Sequence, residues 1–411
     1  MKREMRRAVL ISLGTMALRE INDDVVSLSI CRGWRVVRWR SSTWLVLRKF
    51  LRFSATYGPR RAWAKAMGRL RGGYWQASSW RGRGPGVALI GCGQFGFSTI
   101  AYFLGTKARI VVCYDTDASA AMSLARRYGV EKVASSSDEL FASPAVEVVY
   151  IASNHASHAE YGVTALRAGK RVYVEKPIAV SHAQLSALCS TYRICRGSVF
   201  AGYNRPFSRA VRDIRSRLSS PEGPLTLGCF VSGHRLPVDH WYRRPEEGTR
   251  VCGNVGHWLD LAVHILSWRH IPDRWKISLA WSDGQSRDDD LAVTLVSEAG
   301  DLVSIVLTAR SEPFEGINET INLQWVDVIA KIDDFRFMTL WKSERRYRYR
   351  YWPKDVGHRR AVLQPFDDRF RNWREVELSS LLMLRIADMV VHAQQQVEFS
   401  FANEWAALRI E

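Results

Sequence analysis

The run Gly91-Cys92-Gly93-Gln94-Phe95-Gly96 constrains this chain more than any other stretch. It has the spacing G-x-G-x-x-G and directly follows the apolar run Val87-Ala88-Leu89-Ile90. Gly91 permits a tight turn, Gly93 lets backbone N–H groups approach a pyrophosphate, and Gly96 lets helix and strand pack closely. The N-terminus of the helix that opens there adds partial positive charge for the phosphates. Such a loop calls for an acidic partner about 20 residues on, to meet the adenosine ribose. Asp115 stands 19 residues after Gly96, at the end of the next apolar run. Its carboxylate accepts ribose hydroxyls and repels a 2′-phosphate, so NAD is expected over NADP. The bland alternative is a glycine turn in a nucleotide-free α/β protein. The register of strand, loop, helix and Asp115 argues against it.

The surrounding pattern agrees. Predicted strands at 87–90, 108–114, 146–152, 171–174 and 198–201 alternate with predicted helices at 99–104, 118–128, 156–168 and 181–192. That alternation means βαβ units and a doubly wound parallel sheet covered on both faces. The block spans 85–205. From about residue 225 the pattern changes: a strand at 225–232, an amphipathic helix at 254–267, then strands at 275–281, 291–297, 302–308, 321–330 and 335–341. Several strands after one helix predict a second α/β domain, 206–411, with an antiparallel or mixed sheet and helices on one face.

Residues 1–84 read as an added extension. The 411-residue chain has a net charge of +18, and residues 1–86, with 19 basic and 4 acidic residues, hold +15 of it. The other 325 residues carry only +3, so the body has no composition-level case for nucleic acid. Within the extension, Arg and Trp interleave in Trp34–Arg40, and 59–71 sets Trp63, Ala64, Met67 and Leu70 at helical spacing among basic residues. Three readings stand for this segment: packing against the body or another subunit, contact with an anionic membrane surface, and nucleic acid through phosphate pairing and stacking, the last not expected. The apolar run 8–18 follows Arg6 and Arg7 but is half the length a spanning helix needs, and no A-x-A site follows it. A cytoplasmic protein, peripheral to a membrane at most, is expected. The seven cysteines are scattered without C-x-x-C, which fits a reducing compartment and argues against a zinc site.

Further motifs make the chain resemble a known family. Asn154-His155-Ala156-Ser157-His158 leads to Ala165-Leu166-Arg167-Ala168-Gly169-Lys170 and then Glu175-Lys176-Pro177. Gly202-Tyr203-Asn204-Arg205-Pro206 and Gly248-Thr249-Arg250 to His257-Trp258-Leu259-Asp260 follow in order. This is similar to the glucose–fructose oxidoreductase / inositol dehydrogenase (Gfo/Idh/MocA) family over about 86–400. The resemblance implies a Rossmann domain followed by an α/β domain with an open, mostly antiparallel sheet. It implies hydride transfer between NAD(P) and a hydroxyl-bearing carbon of a sugar, polyol or nucleotide-sugar, a homo-oligomer and, by branch, a place in polysaccharide synthesis. The alternative is a dinucleotide-binding sensor or partner protein that has lost turnover.

Residue by residue, the resemblance makes Lys176 the group that polarises the reacting oxygen and His257 the general acid/base. Ser153, Asn154, His155, His158 and Glu175 join the glycine loop and Asp115 around the cofactor. No metal is expected, because His155 and His158 lack further ligands. On the substrate side stand Asn204, Arg205, Trp241, Asn254 and Asp260. Arg205 suits an anionic substrate group or, equally, a salt bridge between domains. Asp260, three residues after His257, suits orientation of the imidazole or a structural ion pair. Relatives often carry an acid where this chain has Gly253 and Asn254, which cannot hold a negative charge. His234, Arg235 and His240 share the loop of Trp241 and are expected within reach of the sugar.

Overall fold

The computed structural model describes residues 25–26, 39–71, 84–105, 107–313, 316–367 and 371–408. Met1–Phe53 and Ser54–Glu411 form two compact units. In the first, Val25–Val26 pairs antiparallel with Trp39–Arg40, and helix α1 (Ser41–Tyr57) begins. The apolar run 8–18 and most of the Trp34–Arg40 stretch lie outside the described residues. Helix α2 (Pro59–Leu70) belongs to the larger unit, with proline at its start, where the missing N–H costs nothing. Its buried face is small, Ala62, Ala64 and Gly68, whereas Trp63 and Leu70 point outward at 49% and 71% exposure. The expected apolar stripe through Trp63 and Leu70 is therefore not the packing face, because close helix approach favours the residues with least bulk.

The block after residue 85 folds as its alternation predicts. Strands β1 (Gly86–Ile90), β2 (Arg109–Tyr114), β3 (Lys132–Val133), β4 (Val148–Ile151), β5 (Arg171–Val174) and β6 (Val199–Ala201) form one sheet in the order β3-β2-β1-β4-β5-β6, all parallel. Every residue of β1 and β4 is buried, as a central parallel strand requires. The π turn Gly96–Ile100 runs into α3 (Ala101–Leu104), and α4 (Ala118–Tyr128), α5 (Asp138–Ala142), α6 (His158–Arg167) and α7 (His182–Cys195) complete the layers. Asp117 caps α4 through its carboxylate, which accepts from Ser119 N–H and Ala120 N–H, and Gly129 ends the helix in the left-handed conformation. The strand order reverses between β1 and β4, and that switch point opens the crevice where such sheets bind ligands.

After α8 (Arg209–Arg217) the chain builds nine strands: β7 (Thr226–Ser232), β8 (Arg274–Trp281), β9 (Leu291–Ser297), β10 (Leu302–Thr308), β11 (Asn318–Trp325), β12 (Val328–Asp333), β13 (Phe337–Lys342), β14 (Arg345–Arg350) and β15 (Gln396–Ser400). Their order is β14-β13-β12-β11-β7-β10-β9-β8-β15, and only β7 and β10 pair in parallel. The predicted strand 321–330 is two, joined at Val326–Asp327 with Trp325 opposite Val328. The buried positions change phase there, from Ile321, Leu323 and Trp325 to Val328, Ala330 and Ile332. Outward-facing Val326 and Ile329 are apolar too, which hides the break from a periodicity argument. Helix α8 packs on β12 and β13, and α9 (Gly256–Leu266, entered through a π turn Val251–Val255) packs against α11 (Trp373–Val391), which also meets α7 and β6 of the first sheet. The short α10 (His358–Val362) returns to the first sheet, where Tyr150 Oη donates to Val362 O at 2.7 Å. Among the described residues, no helix is long and apolar enough to cross a membrane.

Candidate active site

The glycine loop adopts the shape its spacing demands. Gly91 has φ +89°, and a Cβ there would lie 2.3 Å from the Ala152 carbonyl. A Cβ on Gly96 would meet Gly91 O at 2.1 Å, whereas one on Gly93 would meet nothing within 4 Å. The loop is thus closed against the protein at its ends and open to a ligand in its middle. Asp115 is fixed beside it: Oδ2 accepts Cys92 N–H at 2.6 Å and Oδ1 accepts Asp117 N–H at 2.9 Å. These residues fit a dinucleotide, with an open cradle for phosphates and a held carboxylate for the ribose.

A cavity of 590 Å³ starts at this loop. Gly91, Gly93, Gln94, Phe95, Asp115, Ser153, Asn154, His155, His158, Glu175, Lys176 and Trp241 all line it. Gly96 lies beneath, as its packing role requires. Tyr242, which the sequence reading did not single out, lines it too, and the His155 ring packs against both Trp241 and Tyr242 at 4.6 and 4.7 Å between centroids. His158 is fully buried between two carbonyls, Pro177 O at 2.8 Å from Nδ1 and Ser153 O at 3.1 Å from Nε2. It braces the β4–α6 loop against the cis Lys176–Pro177 peptide. Glu175 accepts the Tyr173 hydroxyl at 2.7 Å, and burial pushes its pKa up to about 7.

Lys176 reaches across the cleft. Its Nζ donates to Gly253 O at 2.9 Å, one helical turn before His257. His257 sits on the first turn of α9, with its ring edge toward Tyr203 at 6.1 Å. Its Nδ1 is buried with no hydrogen-bond partner among the described residues. Burial, then Arg205, Lys176, His358 and His155, hold its pKa well below the usual histidine value. The imidazole is therefore neutral at neutral pH, the form in which it can accept a proton. Asn254 is half-buried on the π turn ahead of it.

Three expected substrate residues are spent elsewhere. Asn204 Nδ2 donates to Val356 O at 2.5 Å. Arg205 forms a buried two-point pair with Glu319 of β11, at 2.7 and 3.0 Å, and lies 4.3 Å from the Trp258 ring. Asp260 is fully buried, with Arg371 Nη1 on both oxygens at 2.8 and 2.7 Å and Ser379 Oγ at 3.0 Å. It does not orient His257, because Arg371 and Ser379 hold its oxygens; Arg371 lies 111 residues downstream, beyond the reach of any spacing argument. His234 and Arg235 likewise bind Glu312, and His240 Nδ1 accepts Tyr242 N–H.

Glu247 is the notable residue that sequence reasoning missed. Its buried carboxylate accepts Asn154 Nδ2 at 2.8 Å and Ala156 N–H at 3.2 Å, and its carbonyl lies 3.1 Å from His155 Nδ1. It locks the β4–α6 loop to the loop before α9. In the sequence it is one of two adjacent glutamates after a proline, with nothing to mark it. Among the described residues, no group of three or more His, Cys, Asp or Glu side chains could hold a metal ion, and six free cysteines are present.

Comparison with known proteins bears on both halves. Residues 86–202 match the model of an oxidoreductase family with an NAD-binding Rossmann fold. A 1,5-anhydro-D-fructose reductase of Ensifer adhaerens is 29% identical over 184 residues, 42% of this chain and 53% of the relative. A trans-1,2-dihydrobenzene-1,2-diol dehydrogenase of Bos taurus is 32% identical over 228 residues, 54% of this chain and 63% of the relative. The chain thus spans between about half and two thirds of the length of these curated relatives. A levoglucosan dehydrogenase solved with NADH and levoglucosan has a TM-score of 0.64 at 15% identity, covering 77% of this chain and all of that one, a likeness of fold.

Proposed function

Because residues 86–202 belong to the Gfo/Idh/MocA oxidoreductases with their NAD-binding Rossmann fold, we propose that the protein moves a hydride between NAD and a hydroxyl-bearing carbon. The substrate is a sugar, polyol or nucleotide-sugar. Bound NAD supplies a nicotinamide carbon that accepts or returns the hydride. Lys176 donates to the reacting oxygen and stabilises negative charge that develops there. His257, held neutral, takes the hydroxyl proton in oxidation and returns it in reduction. Trp241 and Tyr242 offer aromatic faces for the sugar ring, and Glu247 keeps Asn154 and His155 in place at the nicotinamide end.

One observation carries this reading. Lys176, from the Rossmann half, spans the cleft to the carbonyl of Gly253 at 2.9 Å, just ahead of His257. Lys176 lines the cavity, and a substrate hydroxyl that accepts from it in place of that carbonyl would lie one helical turn ahead of His257. The test is turnover with NAD across a panel of sugars, inositols and nucleotide-sugars, followed by absorbance of reduced nicotinamide. Turnover in the wild type that His257→Ala removes supports the reading.

A second reading rests on its own observation: among the described residues no carboxylate hydrogen-bonds His257 Nδ1, and Asp260 is engaged with Arg371. A protein that binds the dinucleotide without turning over fits that arrangement. NAD binding with no turnover on the whole panel would select it.

A further inference from the structure

Helix α2 lies outside the matched Rossmann segment, yet it runs along the helix that opens at the glycine loop. Arg61 Nη2 donates to Thr99 Oγ1 at 2.8 Å, and Gln94 Nε2 donates to Lys65 O at 3.1 Å. A Cβ on Gly68 would come within 3.1 Å of both Gln94 and Phe97, so the two elements touch with no room to spare. Side chain Gln94 therefore turns toward α2 as well as toward the cavity.

Arg71 closes this contact. It ends α2 in the left-handed conformation, φ 41°, a position usually given to glycine although Gly72 is next in line. Its side chain donates from Nε to Gly68 O at 3.1 Å, from Nη1 to Ala120 O at 3.3 Å and from Nη2 to Cys92 O at 2.7 Å, among the described residues. Cys92 is the residue between the first two glycines, and its own N–H meets Asp115 at 2.6 Å. One guanidinium thus holds the carbonyl of Cys92 while Asp115 holds its N–H, fixing the two peptide groups that flank this residue. Its positive charge lies beside Asp117 as well, whose pKa is lowered by Ser119 and Ala120 first and by Arg71 in addition.

We propose that Arg71 is a positioning and selectivity residue of the dinucleotide site: it aims the Cys92 N–H at Asp115, and its charge tempers the repulsion with which Asp115 rejects a 2′-phosphate. The inference rests on the dinucleotide reading and adds to it a residue from the upstream extension. A planar fork makes the three carbonyl bonds, and lysine cannot reproduce that geometry while keeping the charge. The two parts of the role therefore separate by substitution.

The experiment is titration of the full chain with NAD and with NADP, each read as a dissociation constant. Arg71→Gln should weaken both nucleotides and NADP more, raising the NADP-to-NAD ratio about five-fold through the lost charge. Arg71→Lys should weaken both while the ratio stays within about two-fold of the wild type, since the charge remains. Arg61→Gln loosens the far end of α2 and should leave the ratio where it was. Equal weakening of both nucleotides in Arg71→Gln, the mark of lost packing alone, overturns the proposal, and so does unchanged affinity. If Arg71→Gln does not fold, a raised ratio in Arg71→Lys also overturns it. A wild type that binds neither nucleotide sinks the dinucleotide reading itself, a distinct result.

Discussion

Along the Rossmann wall of the cleft, the contacts made within the wall join residues close in sequence, and Glu247 fastens Asn154 and Ala156 from the other half. Cys92 meets Asp115 across 23 positions, and Ser153, Asn154, His155 and His158 share one loop and the start of α6. Behind the opposite wall the contacts are long-range and buried: Arg205 with Glu319 across 114 positions, Asp260 with Arg371 across 111. The first wall is assembled by backbone geometry that a short motif specifies. The second is assembled by side chains whose partners only the folded chain selects. The sharpest way to break this contrast is Arg205→Ala. If Arg205 is structural, the change strands a buried Glu319 and costs about 3–5 kcal/mol of stability in a denaturant titration. Preserved stability with a raised substrate KM would instead make Arg205 a substrate residue and erase the distinction.

That contrast explains what could be read before the fold was known. The glycine loop, Asp115 and all the parallel strands but the two-residue β3 were legible because burial and turn geometry leave local marks. The π turns at Gly96–Ile100 and Val251–Val255 were not, since a π turn has the composition of the α-helix it interrupts. Strand β14, Arg345–Arg350, carries four arginines and two tyrosines, so it shows no apolar alternation although it pairs along its length with β13. Asp260 illustrates the limit best. Its spacing from His257 suits an orienting carboxylate, but the side chain follows Arg371, which offers a full positive charge.

Lys176→Ala probes a residue that joins the two walls. Loss of a donor to the developing oxyanion should lower kcat by about 10²–10³, with NAD affinity little changed. Steady-state rates and a nucleotide titration on the same sample check both halves. A large loss of NAD affinity with kcat intact would return Lys176 to the cofactor wall alone. Asp115→Ala should act the opposite way. It removes the ribose acceptor and should weaken NAD about ten-fold, the scale of a hydrogen bond to a charged group, while narrowing the margin over NADP. Titration with both nucleotides measures it, and an unchanged preference would refute the assignment of Asp115.

The smallest expected effect lies in the pH dependence of the Rossmann wall. Burial raises Glu175 from 4.5 to about 7, while the Tyr173 hydroxyl and Lys176 pull it back. Between those two values the folded protein keeps a proton that the unfolded chain has released. Linkage then makes this group's contribution to stability fall as pH rises through that window and level off above it. His155 works in the reverse sense, because burial and then Lys176 push it down to about 2, so its contribution rises with pH up to the ordinary histidine value. The two cannot be separated in the wild type alone. Subtracting the melting temperature of Glu175→Gln from that of the wild type at each pH removes the histidine part. The difference should decline from pH 4.5 to pH 7 and stay flat beyond. A level difference across that range would mean that Glu175 is ionised throughout, its charge answered by Lys176, and the cofactor wall would then hold an ion pair at its centre in place of a neutral acid.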